Sequence, residues 1–143
     1  MKEILTPEIC EKLAQLISEQ EQFTEGEIKI HVDPICLGDP LSRASEVFKK
    51  LNLHQTNNGS GILIYLSEKD HKIAVYADYG IYHAVGKNSV WDEVIQVMIQ
   101  KLRHKLFEEA LTLGILKCGE ILKKYYPATK NNVNEISNEI SFG

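Results

Sequence analysis

The sequence has few cysteines and no long apolar run, and each of these shortages excludes a class of protein. Its three cysteines, Cys10, Cys36 and Cys118, are odd in number and form no CxxC motif, so neither a disulfide framework nor a zinc ribbon is indicated. No apolar run approaches the roughly 18 residues of a membrane helix, and the N-terminal residues lack the apolar stretch of a signal peptide. We therefore expect a cytoplasmic protein with no membrane insertion.

Positive charge is also in short supply. Sixteen lysines and arginines stand against twenty acidic residues, which gives a net charge of -4. Because binding to duplex nucleic acid usually requires a basic stripe, this balance argues against nucleic acid as a main partner. The same mild acidity leaves small cations as candidate ligands.

Two common catalytic signatures are missing as well. No serine lies in a GxSxG motif and the five histidines are scattered, so a nucleophilic triad has no support. The glycine-rich loop at residues 57–61 (NNGSG) precedes a strand instead of a helix and lacks the lysine of a P-loop. We interpret this loop as a turn and not as a phosphate-binding loop.

What the sequence does contain is a set of clear helix signals in a chain of one-domain length, 143 residues. Thr6-Pro7 and Asp39-Pro40 each combine an N-cap residue with a proline at the first helical position. Apolar spacing predicts helices from these two caps, a third over about residues 91–102 and a fourth over about 107–125. Ser89 with Asp92 predicts a capping box for the third helix.

The sequence predicts a single domain at residues 1–127. The polar tail that follows, residues 128–143, contains four asparagines and is predicted to be disordered.

Three segments have the patterns of strands. Strict alternation from Glu27 predicts a half-buried strand that ends before Pro34. Residues 62–66 (ILIYL) are apolar on both faces, as in a central strand, and residues 72–77 follow after a gap that suits a hairpin. After Gly80 we expect an irregular stretch to about Asn88.

The order of these elements predicts an α/β fold, a three-layer α/β/α sandwich with a small mixed sheet. The first two strands are expected to be parallel, because a helix crosses between them, and the third antiparallel to the second. Ile62 and Ile64 should then face one helical layer, while Leu63 and Tyr65 face the other.

This topology collects acidic and amide side chains at one edge of the sheet. The start of the first strand, the start of the second and the end of the third meet there, and the third helix begins nearby. The residues concerned are Glu25, Glu27, Asn57, Asn58, Ser60, Asp78, Asp92 and Glu93. Converging carboxylate and amide oxygens suit Ca²⁺ or Mg²⁺. The alternative is that Asp78 caps its own turn and Asp92 caps a helix, and the residues alone leave both interpretations open.

A second candidate metal site is weaker. His31 and Asp33 are two residues apart on one strand face, as some metal sites require. No third ligand is evident, so a solvated strand face is the favoured interpretation, with this pair as the next candidate if Asp78 is only a turn residue.

Residues 60–80 carry a family resemblance. The stretch SGILIYLSEKDHK is followed without a gap by IAVYADYG, which gives an apolar strand, a Lys-Asp-x-Lys turn, a second strand and a closing glycine. In this order the chain, over about residues 27–126, resembles a TPM domain. This family is named for a thylakoid-lumen phosphatase, a photosystem II repair protein and a modulator of a nematode receptor. The chain is similar to its soluble bacterial branch, which lacks a membrane helix.

The resemblance implies an α/β/α sandwich, binding of a divalent cation, often calcium, and acid phosphatase activity in some members. This chain differs from the family at three residues. Ser60 stands where the family usually has asparagine, and Ala77 stands where the soluble branch has glycine. Tyr82 stands where the membrane-anchored branch often has an acidic residue. The site then depends on Asp78, Asp92 and Glu93, with Glu27 and Asn58 at the same edge.

We therefore expect a non-catalytic TPM-type domain that binds a divalent cation, Ca²⁺ before Mg²⁺. The first alternative is a weak metal-assisted acid phosphatase, in which the ion polarises a phosphoryl oxygen. The second is a protein-interaction module whose acidic edge docks a basic partner protein.

Overall fold

The computed structural model describes residues 5–55, 59–129 and 137–143. These residues form helices α1 to α5 and strands β1 to β4. Their order is α1 (Pro7–Glu21), β1 (Glu27–Asp33), α2 (Pro40–Lys50), β2 (Gly61–Ser67), β3 (Ile73–Ala77), α3 (Tyr79–Val85), α4 (Asn88–Leu102), α5 (Phe107–Tyr125) and β4 (Ser141–Phe142), with a short 3-10 helix (Leu53–Gln55) before β2. In the described part of the chain, no helix is both long and apolar enough to cross a membrane.

The strands form one mixed sheet in the order β3-β2-β1-β4. Strand β1 runs parallel to β2, with Glu27 beside Gly61, and β3 runs antiparallel to β2, with Ala77 beside Ile62. The predicted α/β fold is confirmed, including the central place of β2 and the direction of each predicted strand pair.

Local signals account for two of the helix starts. The Thr6 side chain accepts a hydrogen bond from the Ile9 amide at 3.2 Å, and the Asp39 carboxylate accepts one from the Ser42 amide at 2.9 Å. These contacts satisfy amide donors that a helix start leaves without partners.

The predicted capping box at the start of α4 is wrong. Lys87 is the N-cap and makes no side-chain cap bond, and Ser89 lies inside the helix. Residues 103–106 separate α4 from α5, and Lys105 adopts a left-handed backbone with φ of 58° where the chain reverses.

The sheet separates two apolar layers, as the alternation in β2 predicts. On one face Ile62 and Ile64 pack with residues of α1, α4 and α5, including Ile17, Met98 and Ile115. On the other face Leu63 and Tyr65 pack with residues of α2, which are Ala44, Val47 and Phe48. All seven residues of β2 are buried, so this strand forms the centre of the domain.

The prediction that β1 is half-buried is wrong, because all seven of its residues are buried. Its polar face is covered by protein instead of water. Lys29 Nζ donates to the carbonyl oxygens of Ser137 and Glu139, at 3.0 and 2.5 Å. Arg43 of α2 covers the other end of the same face through a 2.8 Å bond to Asp33.

The prediction of a disordered tail fails for residues 137–143. Ser141 and Phe142 form β4, which pairs with His31 and Val32 of β1 in a parallel arrangement. The amide of Gly143 donates to the Val32 carbonyl at 2.9 Å. The hydrogen bonds that hold residues 137–143 join this segment to β1, which lies about 110 residues earlier in the sequence. The composition of the tail therefore did not indicate that these bonds form.

Helix α3 was also missed, since an irregular stretch was expected there. Its signals are nevertheless present in the sequence. Asp78 caps the helix, Ile81 and Val85 are buried at i, i+4 spacing, and Gly86 ends it in the left-handed region with φ of 70°. The short length of the helix, seven residues, hid the periodicity.

We expect Leu63→Ala to lower the free energy of unfolding by about 2 to 5 kcal/mol, because it removes a fully buried side chain from the layer that α2 covers. Leu37→Ala is the matched control, since Leu37 is 93% exposed and should change stability by less than about 0.5 kcal/mol. Urea unfolding followed by circular dichroism measures both. Equal losses in the two variants would contradict the central position of β2.

Candidate functional site

The predicted meeting of strand ends is present at one edge of the sheet. Glu27 pairs with Gly61, and the Asp78 amide donates to the Gly61 carbonyl at 2.8 Å. Glu27, Gly61 and Asp78 therefore lie in a row on three neighbouring strands. Two interstrand spacings of roughly 4.8 Å put the Cα atoms of Glu27 and Asp78 about 10 Å apart.

Asp78 uses its two carboxylate oxygens differently. Oδ1 accepts a hydrogen bond from the Tyr79 amide at 2.8 Å and caps α3. Oδ2 is buried and has no hydrogen-bond partner in the part of the chain that the structure describes. Asp78 is therefore a cap, of the helix α3 instead of its own turn, and the cap engages only one of the two oxygens. Asp92 lies inside α4 and caps no helix.

Gly59 brings the loop before β2 close to Asp78. Its backbone has φ of 63°, and a Cβ atom built there would lie 2.8 Å from the Gly80 nitrogen and 3.9 Å from Asp78 Oδ2. A glycine is therefore required at residue 59. Gly80 itself lies in the first turn of α3, where the irregular stretch was expected to begin, and its φ is not positive. Asn57 and Asn58 lie outside the described residues.

The two acids of α4 are placed differently. Asp92 is exposed and lines, together with Asp78, a cleft of about 800 Å³. Glu93 lies outside that lining and forms an ion pair with Lys117 of α5 at 3.4 Å. Across residues 5–55, 59–129 and 137–143, no three histidine, cysteine, aspartate or glutamate side chains are close enough to hold a metal ion by themselves.

A buried glutamate that sequence reasoning missed lies beside Glu27. Glu21, at the end of α1, accepts a hydrogen bond from the Ile28 amide at 2.8 Å. Burial and the neighbouring Glu27 carboxylate raise the pKa of Glu21 to about 9, so Glu21 is protonated at neutral pH. Nothing in the periodicity of α1 distinguishes this residue from the other glutamates of the helix.

The second candidate, His31 and Asp33, is not the solvated face that was expected. Asp33 accepts hydrogen bonds from Arg43 Nε at 2.8 Å, the Tyr65 hydroxyl at 2.6 Å and His31 Nε2 at 2.8 Å, and His31 Nδ1 lies 3.0 Å from the Ser141 hydroxyl. Burial acts to raise the pKa of Asp33, but the hydrogen bonds from Arg43, Tyr65 and His31 outweigh it and hold the pKa at about 2. Burial lowers the pKa of His31. These residues form an internal ion-pair network.

The family model of the TPM domain matches residues 1–121. The chain belongs to the TPM domain family. The match begins at residue 1, so α1 is included, whereas the resemblance in the sequence began near Glu27. None of the curated proteins matches the chain.

Two solved structures show how the TPM domain fold is shared. The NMR structure of the BA42 protein from the psychrophilic bacterium Bizionia argentinensis has 32% sequence identity and a TM-score of 0.89, and the match covers 96% of this chain and 94% of that one. The solution NMR structure of the N-terminal domain of a P. gingivalis protein has 14% identity and a TM-score of 0.63, with 77% of this chain and 73% of that one covered. The second likeness concerns the fold alone.

We expect Glu21→Gln to make this TPM domain more stable at high pH. The folded protein keeps the Glu21 proton up to about pH 9, whereas the unfolded chain loses it near 4.5, so the contribution of Glu21 to stability falls as pH rises between these values. Glutamine keeps an acceptor for the Ile28 amide and has no proton to lose. The gain should be about 1 to 3 kcal/mol near pH 8 and close to zero near pH 4.

Urea unfolding at pH 4, 6 and 8 tests this expectation. Glu19→Gln is the control, because Glu19 is exposed on the same helix and should change stability by less than about 0.5 kcal/mol at each pH. A stability difference for Glu21→Gln that grows as pH falls would contradict the protonated state of Glu21.

Proposed function

We propose that this TPM domain binds a divalent cation at the sheet edge beside Asp78, with Ca²⁺ preferred to Mg²⁺, and that it catalyses no reaction of its own. One observation carries the proposal. Asp78 Oδ2 is buried and has no hydrogen-bond partner among the described residues, while Oδ1 is engaged by the helix cap. A buried carboxylate oxygen without a partner is costly, and a bound cation would remove that cost.

The surroundings of Asp78 support an oxygen-binding ion. A Cβ atom built on Gly59 would lie 3.9 Å from Asp78 Oδ2, so the loop before β2 passes close to the carboxylate, and Asn58 is the preceding residue in the chain. Glu27 lies two strands away in the same row, and Asp92 lines the cleft that Asp78 also lines. Glu93 is the predicted ligand with the least support, because it pairs with Lys117.

The preference for Ca²⁺ follows from coordination chemistry. Mg²⁺ demands nearly ideal octahedral geometry and gives up water reluctantly, whereas Ca²⁺ accepts six to eight oxygens in flexible arrangements. A site that combines a helix-capping carboxylate with loop backbone suits the more tolerant ion. The family resemblance, which implies calcium binding, points the same way.

We expect Asp78→Asn to separate the two roles of this residue. Asparagine is also a good N-cap, so stability without calcium should stay within about 1 kcal/mol of the parent protein. Loss of the charge should weaken Ca²⁺ binding at least tenfold, about 1.4 kcal/mol. Calorimetric titration with CaCl₂ measures the affinity, and the calcium-dependent rise in melting temperature gives a second measurement.

Asp39→Asn is the matched control, because Asp39 is also an aspartate that caps a helix, α2, and it does not line the cleft. It should leave the Ca²⁺ affinity unchanged. If Asp78→Asn and the parent protein bind Ca²⁺ equally well, Asp78 is a helix cap only and the proposal is wrong.

A phosphatase assay distinguishes this proposal from the metal-assisted alternative. We expect p-nitrophenyl phosphate to be hydrolysed no faster than in buffer alone, both with and without EDTA and both with Asp78 and with Asp78→Ala. A rate that is lost with both treatments would identify a phosphatase in which the ion polarises a phosphoryl oxygen. The cytoplasmic location and the absence of a nucleic-acid partner stay predictions.

A further inference from the structure

Strand β3 is the outer strand of the sheet and has one free edge. The Lys72 carbonyl accepts from the Ser67 amide at 2.9 Å, and the Asp78 amide donates to Gly61 at 2.8 Å. Hydrogen bonding alternates along an antiparallel pair, so residues 72, 74, 76 and 78 face β2. The backbone N–H and C=O groups that turn away from β2 are those of Ile73, Val75 and Ala77. In the described part of the chain these groups have no hydrogen-bond partner.

The free edge lies at the floor of the cleft that Asp78 lines. All five residues of β3 line this cleft of about 800 Å³. One wall belongs to the start of α2 and the other to α3 and α4. The wall residues are Pro40, Leu41, Tyr79, Tyr82, His83, Asn88, Trp91, Asp92 and Ile95. Ile73 and Val75 are only 9% and 7% exposed, because their side chains pack in the apolar core. The helices that form the two walls recess the backbone edge of β3, so one extended chain fits it better than the helix-flanked edge of a second copy.

The lining determines what kind of chain fits. Apolar and aromatic side chains dominate it, and its charged residues are Asp78 and Asp92, with no lysine or arginine among the described residues that line the cleft. Tyr79 and Tyr82 are exposed large side chains beside these acids. Aromatic rings next to carboxylates favour lysine or arginine in a ligand. The buried Nε1 donor of Trp91 has no acceptor in the described part of the chain, and peptide carbonyls are acceptors of that kind.

We propose that this cleft binds an extended, basic segment of a partner protein, which adds a fifth strand to the sheet at β3. The peptide backbone pairs with Ile73, Val75 and Ala77, and a lysine or arginine of the peptide lies near Asp92. Main-chain pairing supplies affinity in such strand addition, and side-chain pockets supply specificity. The β3 backbone carries the pairing and is not part of the proposed cation site, so the proposal can be tested with the cation removed.

The probe is the capped peptide Lys-Val-Thr-Val-Thr-Val-Lys, with N-acetyl and C-amide ends. We expect saturable binding in calorimetry with a dissociation constant below about 1 mM. Amide hydrogen exchange measured by NMR should slow at Ile73, Val75 and Ala77. Ala74 and Tyr76, which already bond to β2, should be unaffected. The same peptide with N-methyl groups at all five valine and threonine residues should bind at least tenfold more weakly, since neither of its edges can then donate to the β3 carbonyls.

Charge reversal in the wall tests the specificity. Asp92→Lys should weaken binding of the probe at least about fivefold, because it replaces an exposed attraction by a repulsion. Glu93→Lys makes the same change of charge at the neighbouring exposed residue, which does not line the cleft, and should change affinity less than about twofold. Binding should persist in EDTA, so failure of the cation proposal and failure of this one give different results.

Three results would overturn the proposal. Equal binding of the methylated and unmethylated probes would exclude backbone pairing. Equal weakening by Asp92→Lys and Glu93→Lys would show non-specific charge attraction. Protection of the Ile73, Val75 and Ala77 amides without peptide, together with a dimer in analytical ultracentrifugation, would show that a second copy occupies the edge.

Discussion

Burial of β2 on both faces is the constraint on which the rest of the structure depends. Side chains alternate along the strand, and each face packs against its own helical layer. If the pairing of β2 shifted by one residue, the side chains that face the two helical layers would change places. The register of β2 is therefore strongly specified. That register is also what brings Glu27, Gly61 and Asp78 into one row. The candidate cation site is therefore positioned by the apolar core, although its own residues are polar.

The two edges of the sheet differ in the groups that cover them. On the β1 side, the described part of the tail pairs with His31 and Val32 through β4, and the Glu21 side chain accepts a hydrogen bond from the Ile28 amide further along the edge. On the β3 side no strand or side chain closes the edge in the described residues, and helices on either side recess it instead. Free edges invite pairing with other chains. A recessed edge limits that pairing to a single extended segment, which is the basis for the docking proposal.

Three buried or partly buried carboxylates show how environment separates structural roles from candidate functional ones. Asp33 stays ionised because Arg43, Tyr65 and His31 all donate to it. Glu21 takes up a proton instead, because burial and Glu27 disfavour its charge. Asp78 lacks the full set of hydrogen-bond donors that Asp33 has. One of its oxygens caps α3, and the other has no hydrogen-bond partner among the described residues. Of the three, it is the one for which we propose a cation as the missing partner.

Much of the fold was readable from the sequence because it depends on local physics. The caps at Thr6 and Asp39, the hairpin between β2 and β3 and the two faces of β2 follow from residues close together in the chain. The row of strand ends followed from topology, and with it the neighbourhood of Asp78. Only the tertiary structure decided the burial of the polar face of β1, the strand β4 and the role of Glu21. Each depends on a partner from another element, as in the contact of His31 with Ser141 across 110 residues, and neither hydrophobic period nor composition carries information about such pairs.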